Sequence, residues 1–132
     1  MRVLPSSVPS PHIVDLSAAC LLFAGLRDAV RETVAVAYLD PNRRLLGMRH
    51  VVVGRDHVVV SIRRIAADAL AFDARGVVMA HNHPSGGTEP SRADELLTQT
   101  LKAALSLVDV RVLDHVIVGD GRTLSMASKG LI

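Results

Sequence analysis

Residues 77–97 read VVMAHNHPSGGTEPSRADELL and contain the most informative pattern in the chain. Its first part, residues 77–81, is a short apolar run of the kind that forms a buried strand. Residues 82–90 contain two prolines and two glycines, which predicts a shaped loop rather than a longer strand. Ser91 is suited to cap a helix that runs to about residue 107. The stretch therefore predicts a strand, a loop and a helix in that order, a unit typical of α/β domains.

Two histidines, His81 and His83, lie where the predicted strand ends. Side chains two positions apart in extended backbone project to the same side, so both imidazoles can reach one point in space. Neutral imidazole is a good zinc ligand, and a catalytic zinc normally takes three protein ligands and keeps one position for water. A third ligand is therefore needed. The order His-x-His-x7-Ser-x2-Asp brings Ser91 and Asp94 into the first turn of the following helix.

The pair Ser91 and Asp94 also has a purely structural interpretation. Ser-x-x-Asp after Pro90 is a variant of the capping box, with Asp in place of the usual Glu. A cap does not explain two same-side histidines at the loop that leads into the helix, and Ser91 can cap while its hydroxyl serves a site. Gly86 and Gly87 lack the following lysine of a phosphate-binding loop, so we expect them to give backbone clearance near a metal.

Outside this stretch the chain alternates between helical and strand patterns. Residues 1–12 carry three prolines and three serines, which predicts a flexible tail ahead of one domain over residues 13–132. Apolar spacing predicts helices over 13–27 and 60–74 and strands over 33–40, 44–53, 110–118 and 123–126. Pro41 and Asn42 provide a turn, so the first two strands are expected to be antiparallel neighbours. This order predicts a three-layer α/β domain with a mixed central sheet flanked by helices.

Three segments, AHNHPSG, PSRAD and LVDVRVLDHVIVGDG, lie at residues 80–86, 90–94 and 107–121. They resemble the JAMM family of zinc metalloproteases, also called MPN+ or JAB, and are most similar to its bacterial RadC-type branch. The resemblance covers residues 32–132. It implies the three-layer, cytidine-deaminase-like JAB/MPN fold, one Zn2+ per chain and hydrolysis of an amide by a zinc-bound water. The metal ligands that it implies are His81, His83 and Asp94.

The resemblance also implies roles for residues around the metal. The family motif asks for an upstream glutamate as general base, and of the chain's three glutamates only Glu32 precedes the histidines. Glu32 would accept the proton of the water and pass it to the leaving amine. The alternative interpretation of Glu32 is a solvated surface residue beside Arg31. Ser91 would donate a hydrogen bond to the developing oxyanion. Asp114 or His115 would support the ligands from behind.

The charge and the length of the chain bear on its partners. The net charge is only +2, and the arginines are scattered, which does not establish a nucleic-acid partner. Longer RadC-type relatives carry an N-terminal helix-hairpin-helix region, whereas about thirty residues precede Glu32 here. We therefore expect a peptide or protein substrate. The alternatives are a DNA-repair-associated nucleic-acid-binding protein and a non-catalytic interaction module with the same fold.

The cysteine content bears on location and on competing chemistry. A zinc deaminase would need a cysteine pair and a His-x-Glu signature, but Cys20 is the single cysteine. One cysteine cannot form an internal disulfide, which favours a reducing compartment and a cytoplasmic protein. No apolar run approaches the ~20 residues of a membrane span, so no membrane partner is expected.

Overall fold

A computed structural model describes residues 2–3, 23, 25–26, 32–52 and 60–132 of the chain. The strands run in one sheet in the order β1-β3-β2-β4-β5-β6. Strands β4 and β5 are parallel and the other neighbours are antiparallel, so the sheet is mixed, as predicted. The strands are β1 (Arg2–Val3), β2 (Thr33–Leu39), β3 (Leu45–Val52), β4 (Gly76–Asn82), β5 (Arg111–Val118) and β6 (Thr123–Ser125), and the helices are α1 (Ile62–Ala71) and α2 (Arg92–Ser106).

The centre of the sheet is formed by β2 and β4, whose residues are all buried. Both are mostly apolar, apart from Thr33 at the start of β2 and His81 and Asn82 at the end of β4, as expected of strands that are covered on both faces. The predicted antiparallel pairing of β2 with β3 is confirmed. The turn between them is held by Asp40, whose Oδ1 accepts hydrogen bonds from the backbone N–H groups of Asn42 at 2.8 Å and Arg44 at 2.9 Å. The turn thus fixes the register of the two strands.

Both helices pack on the same face of the sheet. There, Ile65 of α1 and Leu101 of α2 join Val36 and Met79 in one apolar cluster. The opposite face is covered in part by a second cluster. Its members include Phe23 and Leu26, Ala35 and Ala37 of β2, Ala80 of β4 and Val116 of β5. The predicted α/β domain is therefore confirmed, with apolar side chains packed on both faces of the sheet.

The predicted helix over residues 13–27 lies mostly outside the described residues. Within it, the Leu26 N–H donates to the Phe23 carbonyl at 3.0 Å, which closes one turn of chain. Phe23 and Leu26 are both buried against the sheet. The rest of that predicted helix stays a prediction.

The ends of the two described helices follow from their caps. Ser61 caps α1 by accepting a hydrogen bond from the Arg64 N–H at 3.1 Å, and Phe72 is the C-cap after the last helical residue, Ala71. Asp73 then adopts a positive φ of 53°, which ends the helix before the predicted residue 74. Helix α2 has Ser91 as its N-cap, at the position that the sequence predicts.

One correction concerns the predicted N-terminal tail. Arg2 and Val3 form a short strand that pairs with Met48 and Gly47 of β3, whereas no strand was expected within residues 1–12. The prediction rested on prolines that come later in this segment. An edge strand such as β3 presents unpaired backbone N–H and C=O groups, which a preceding segment can satisfy. Residues 4–12 lie outside the described residues.

The parallel strands β4 and β5 end at the same edge of the sheet, where α/β folds place their ligand sites. The loop after β4 crosses this edge and delivers the chain to α2. Among the described residues, no helix is both long enough and apolar enough to span a membrane. Cys20 is not among these residues, so the cytoplasmic location stays a prediction.

Candidate metal centre

Three side chains converge at this edge: His81 at the end of β4, His83 in the loop and Asp94 in the first turn of α2. The Nε2 atoms of the two histidines are 2.8 Å apart. Asp94 Oδ1 lies 3.4 Å from Nε2 of His81, and its Oδ2 lies 3.3 Å from Nε2 of His83. The prediction that the two imidazoles reach one point is confirmed, and the carboxylate joins them there.

The histidines differ in how they are held. The His81 side chain is 3% exposed, whereas that of His83 is 19% exposed, so the group opens toward solvent on the His83 side. The His83 backbone N–H donates to the Val118 carbonyl at 3.0 Å, which extends the pairing with β5 by one residue. His83 Nδ1 lies 3.0 Å from the Gly87 carbonyl, which can only accept. In the neutral ring Nδ1 therefore carries the proton, and Nε2 is left with a lone pair.

The loop takes its shape from two close backbone contacts. Gly86 has a φ of +96°, in the region that favours glycine, and its N–H donates to the His83 carbonyl at 2.9 Å. A Cβ on Gly119 would lie 2.5 Å from the Gly86 carbonyl oxygen, so only glycine fits there. The expected clearance is not needed at Gly87, where an added Cβ would meet nothing within 4 Å, and Gly87 contributes its carbonyl instead. A cavity of about 170 Å³ lies beside His83, between this loop and residues 118–120.

Asp94 serves two local purposes through one carboxylate. Its Oδ2 accepts a hydrogen bond from the Ser91 N–H at 2.8 Å, while its own N–H donates to Ser91 Oγ at 3.0 Å. The capping-box interpretation of this pair is therefore confirmed, and it coexists with the approach of Asp94 to the histidines. Burial raises the pKa of Asp94, but the approach of His81 and the hydrogen bonds with Ser91 outweigh this effect and hold the pKa below its usual range. The carboxylate is thus ionised and able to act as a ligand.

His115 supports His81 from behind, one of the two possibilities raised from the sequence. Its side chain is 1% exposed, and its Nε2 lies 2.6 Å from Nδ1 of His81. Burial, and then the neighbouring His81 and His83, lower the pKa of His115 to about 3. Asp114 is instead bound to the C-terminal hairpin, where it accepts hydrogen bonds from Ser125 Oγ at 2.5 Å and from a backbone N–H beyond.

Thr98 is a further residue of the site, which the sequence did not predict. Its Oγ1 lies 2.6 Å from Nδ1 of His115 and 2.8 Å from the Asp94 carbonyl. Thr98 follows Asp94 by four positions on α2, so the two share a helix face. That spacing was the available signal, but nothing in the sequence says that a strand histidine meets this face.

Glu32 lies at the same edge of the sheet. Residues opposite each other in an antiparallel pair project to one face, so Val34 and His81 share a face through their register. Glu32 stands two positions before Val34, and His83 two positions after His81. The neighbouring Thr33 N–H donates to Asn82 Oδ1 at 2.7 Å, which keeps the two chains together beyond the ladder. Glu32 is partly exposed. Its role in catalysis stays a prediction.

The ligand group fits zinc in its donor set and spacing. Ligand atoms at about 2.0–2.1 Å from a tetrahedral zinc lie about 3.3 Å from one another. The two nitrogens are 2.8 Å apart, and each has a carboxylate oxygen of Asp94 near that distance, Oδ1 at 3.4 Å from His81 and Oδ2 at 3.3 Å from His83. Two imidazoles and a carboxylate are three ligands, which leaves the fourth position for water or substrate, the arrangement typical of catalytic rather than structural sites.

Comparison with known proteins connects this geometry to a family. A family model described as "RadC-like JAB domain" matches residues 15–131. A UPF0758 protein from Acidovorax sp. (strain JS42) is 54% identical over 134 residues, 99% of this chain and 56% of the relative. Another, from Nitrosococcus oceani, is 51% identical over 112 residues, 84% of this chain and 50% of the relative. The chain spans about half the length of the curated relatives it matches, and their names state no activity.

Proposed function

The chain belongs to the RadC-like JAB domain family, and we propose that it is a zinc-dependent metallohydrolase that cleaves an amide, as a peptidase or isopeptidase. The observation that carries the proposal is the convergence of His81, His83 and Asp94 within 4.8 Å of one another. His83, the most exposed of the three side chains at 19%, also lines the cavity beside residues 84–86, so the group is not sealed in the core. A structural zinc would be closed by a fourth protein ligand, whereas this set leaves room for a reacting group.

The three ligands would hold one Zn2+ per chain. When bound, zinc lowers the pKa of water toward about 7 and polarises a carbonyl oxygen. His81 fixes the site to the sheet, because it belongs to β4 and is buried. Asp94 fixes the site to α2 and brings the negative charge that balances part of the cation's charge.

Glu32 is proposed as the general base. A glutamate carboxylate accepts a proton from water and can return it to the leaving amine, provided that it lies within hydrogen-bonding reach of both. The register of β2 with β4 supports this role, because it brings Glu32 to the edge where the ligands converge. Its partial exposure supports it further, since a base must be reached by substrate and water.

Ser91 is proposed as a hydrogen-bond donor to the developing oxyanion. Its Oγ accepts a hydrogen bond from the Asp94 N–H, so its hydroxyl proton is available for another acceptor. Ser91 also stands at the positive end of the α2 dipole, which favours negative charge. A peptide or protein in extended conformation is the proposed substrate, and the cavity beside His83 would take up one of its residues.

A test that reads hydrolysis directly uses an unbiased peptide mixture in water enriched in heavy oxygen. The zinc-loaded chain is incubated with the mixture, and mass spectrometry searches for new carboxyl termini that carry the heavy isotope. We expect such termini with wild-type protein. With Glu32→Gln we expect a decrease of roughly 10²–10⁴-fold, the usual contribution of a general base, at unchanged zinc content.

Glu95→Gln is the matched control. It makes the same chemical change close to the site, but the carboxylate of Glu95 faces Arg92 at 3.8 Å rather than the ligands. This variant should cleave like the wild type. Full activity of Glu32→Gln would remove Glu32 from its role. A wild-type chain that takes up no zinc would contradict the proposed metallohydrolase activity and favour a non-catalytic interaction module with the same fold.

A further inference from the structure

A continuous chain of hydrogen bonds joins the backbone of α2 to the rear nitrogen of His81. It starts at the Asp94 carbonyl, passes through Thr98 Oγ1 at 2.8 Å and reaches Nδ1 of His115 at 2.6 Å. On the other side of the His115 ring, the chain ends with the contact of 2.6 Å between Nε2 of His115 and Nδ1 of His81. Every side chain in it is buried: the exposed fractions are 2% for Thr98, 1% for His115 and 3% for His81.

The direction of this chain is set at its first bond. A carbonyl oxygen can only accept, so the single hydroxyl proton of Thr98 points to the Asp94 carbonyl. Met126 Sδ, at 3.8 Å from Thr98 Oγ1, is a weak acceptor and would impose the same polarity. With its proton committed, Thr98 Oγ1 can only accept from His115. His115 must therefore carry its proton on Nδ1.

The remaining protons follow from that assignment. The contacts of the two ring nitrogens of His115 are with a hydroxyl and an imidazole, neither of which is a counter-ion, so burial favours the neutral ring. Neutral His115 with a proton on Nδ1 has a lone pair on Nε2. Nδ1 of His81 must donate to that lone pair. The proton of His81 is thus held at the rear, and its Nε2 is left to face His83 and Asp94.

We infer that Thr98 is a positioning residue that selects the metal-binding tautomer of His81 through His115. For the consequence on metal binding, the inference rests on the proposed zinc site. His83 reaches the same tautomer by a shorter route, from the Gly87 carbonyl. Asp94 takes part twice, because its carboxylate approaches the histidines while its backbone carbonyl orients the hydroxyl behind them.

The first test needs no metal and no substrate. Long-range proton–nitrogen correlation spectra of the 15N-labelled, metal-free chain distinguish histidines protonated on Nδ1 from those protonated on Nε2. The signals of His81 are identified by their loss in His81→Ala. We expect both His81 and His115 to be protonated on Nδ1 in the wild-type chain. A proton on Nε2 of either ring would overturn the inference.

The second test compares three substitutions on α2. Thr98→Val keeps the shape but removes the hydroxyl, so we expect His81 to shift toward the Nε2-protonated form. Zinc affinity, measured by competition with a chromophoric chelator, should weaken about 10–100-fold, the usual effect of losing a group that orients a ligand. Thr98→Ser restores the hydroxyl and should return both readouts to wild type. Thr100→Val makes the same change at an exposed position and should alter neither.

The outcomes separate this inference from the proposed function. If Thr98→Val keeps the wild-type tautomers, or if Thr98→Ser binds zinc as weakly as Thr98→Val, the hydroxyl does not act as inferred. If the tautomers are as expected but the wild-type chain takes up no zinc, the inference about the positioning of His81 is retained and the proposed zinc-dependent hydrolysis is rejected.

Discussion

Two polar clusters lie on the helix-covered face of the sheet, and they differ in how donors and acceptors are matched. The arginine cluster consists of Tyr38, Arg49 and Asp68. Asp68 Oδ2 accepts hydrogen bonds from the Tyr38 hydroxyl at 2.9 Å and Arg49 Nε at 2.5 Å, and its Oδ1 accepts from Arg49 Nη2 at 3.0 Å. The carboxylate is thus paired with a cation that the chain supplies. This cluster is complete without any ligand.

The histidine cluster consists of His81, His83, Asp94, His115 and Thr98. At its front, two imidazole nitrogens and a carboxylate converge, and the ion-pair partners found for Asp94 among the described residues are the two histidines, not an arginine or a lysine. Acceptors that are gathered in this way repel one another unless a cation or a proton lies between them. Burial of polar groups alone therefore does not mark a ligand-binding site. The mark is an excess of acceptors that the chain itself does not balance.

The largest expected effect is the loss of zinc from one cluster and not from the other. We expect one zinc per chain in the wild type, and no stoichiometric zinc in His81→Ala, His83→Ala or Asp94→Ala, because two ligands hold the metal far more weakly than three. Elemental analysis after removal of free metal measures this. His50→Ala, at an exposed position of β3, and Asp68→Asn should keep the wild-type content. Zinc loss from Asp68→Asn would contradict the assignment of zinc binding to the histidine cluster alone.

The next effect is on turnover, at Ser91 beside the histidine cluster. Ser91→Ala should slow amide hydrolysis by roughly 10²–10³-fold, the usual cost of one oxyanion donor, while zinc stays bound. The same substitution removes the N-cap of α2 and should cost about 1 kcal/mol of unfolding free energy. Ser61→Ala removes the corresponding cap of α1, away from the ligands, and is the matched control. Equal turnover in the two variants would mean that Ser91 acts only as the N-cap of α2 and not as an oxyanion donor.

The smallest effect is on stability and belongs to the arginine cluster. Asp68→Asn leaves Arg49 without its anion and should lower the unfolding free energy by about 3 kcal/mol. This value is the lower end of the range for a broken buried ion pair, and we choose it because the Arg49 side chain is 24% exposed. Tyr38→Phe should cost about 1 kcal/mol through one lost hydrogen bond. Urea unfolding measures both, and added zinc should leave these differences unchanged.

The pH dependence of the same pair has a definite sign. Burial raises the pKa of Asp68, but hydrogen bonds from Arg49 and Tyr38 outweigh it, so the folded-state pKa lies below the ordinary value of 3.8. Such a group stabilises the fold fully above its unfolded pKa and loses this contribution as pH falls through the folded pKa. The difference between wild type and Asp68→Asn should therefore be constant near neutrality and shrink below about pH 4. A difference that grows on acidification would contradict the assignment.

The strands and helices of the described residues could be predicted from the sequence because their signals are local. The apolar run before His81, the turn at Asp40 and the cap at Ser91 each act over a few residues. The strand at Arg2–Val3 was missed because its cause is distant: the free edge of β3, more than forty positions away, supplies the backbone partners. The proline-rich composition of residues 1–12 indicates little regular structure within that segment, but it carries no information about the strand that lies beside its first residues.

The two same-side histidines, the loop after them and the cap that carries Asp94 follow from local sequence, because a spacing of two in a strand and of three in a helix turn has a fixed direction in space. The residues behind the histidines depend on tertiary packing. The parallel pairing of β4 with β5 brings His115 against His81, and the packing of α2 on the sheet brings Thr98 against His115. These contacts join residues 34 and 17 positions apart, and no local preference of the chain encodes such a distance.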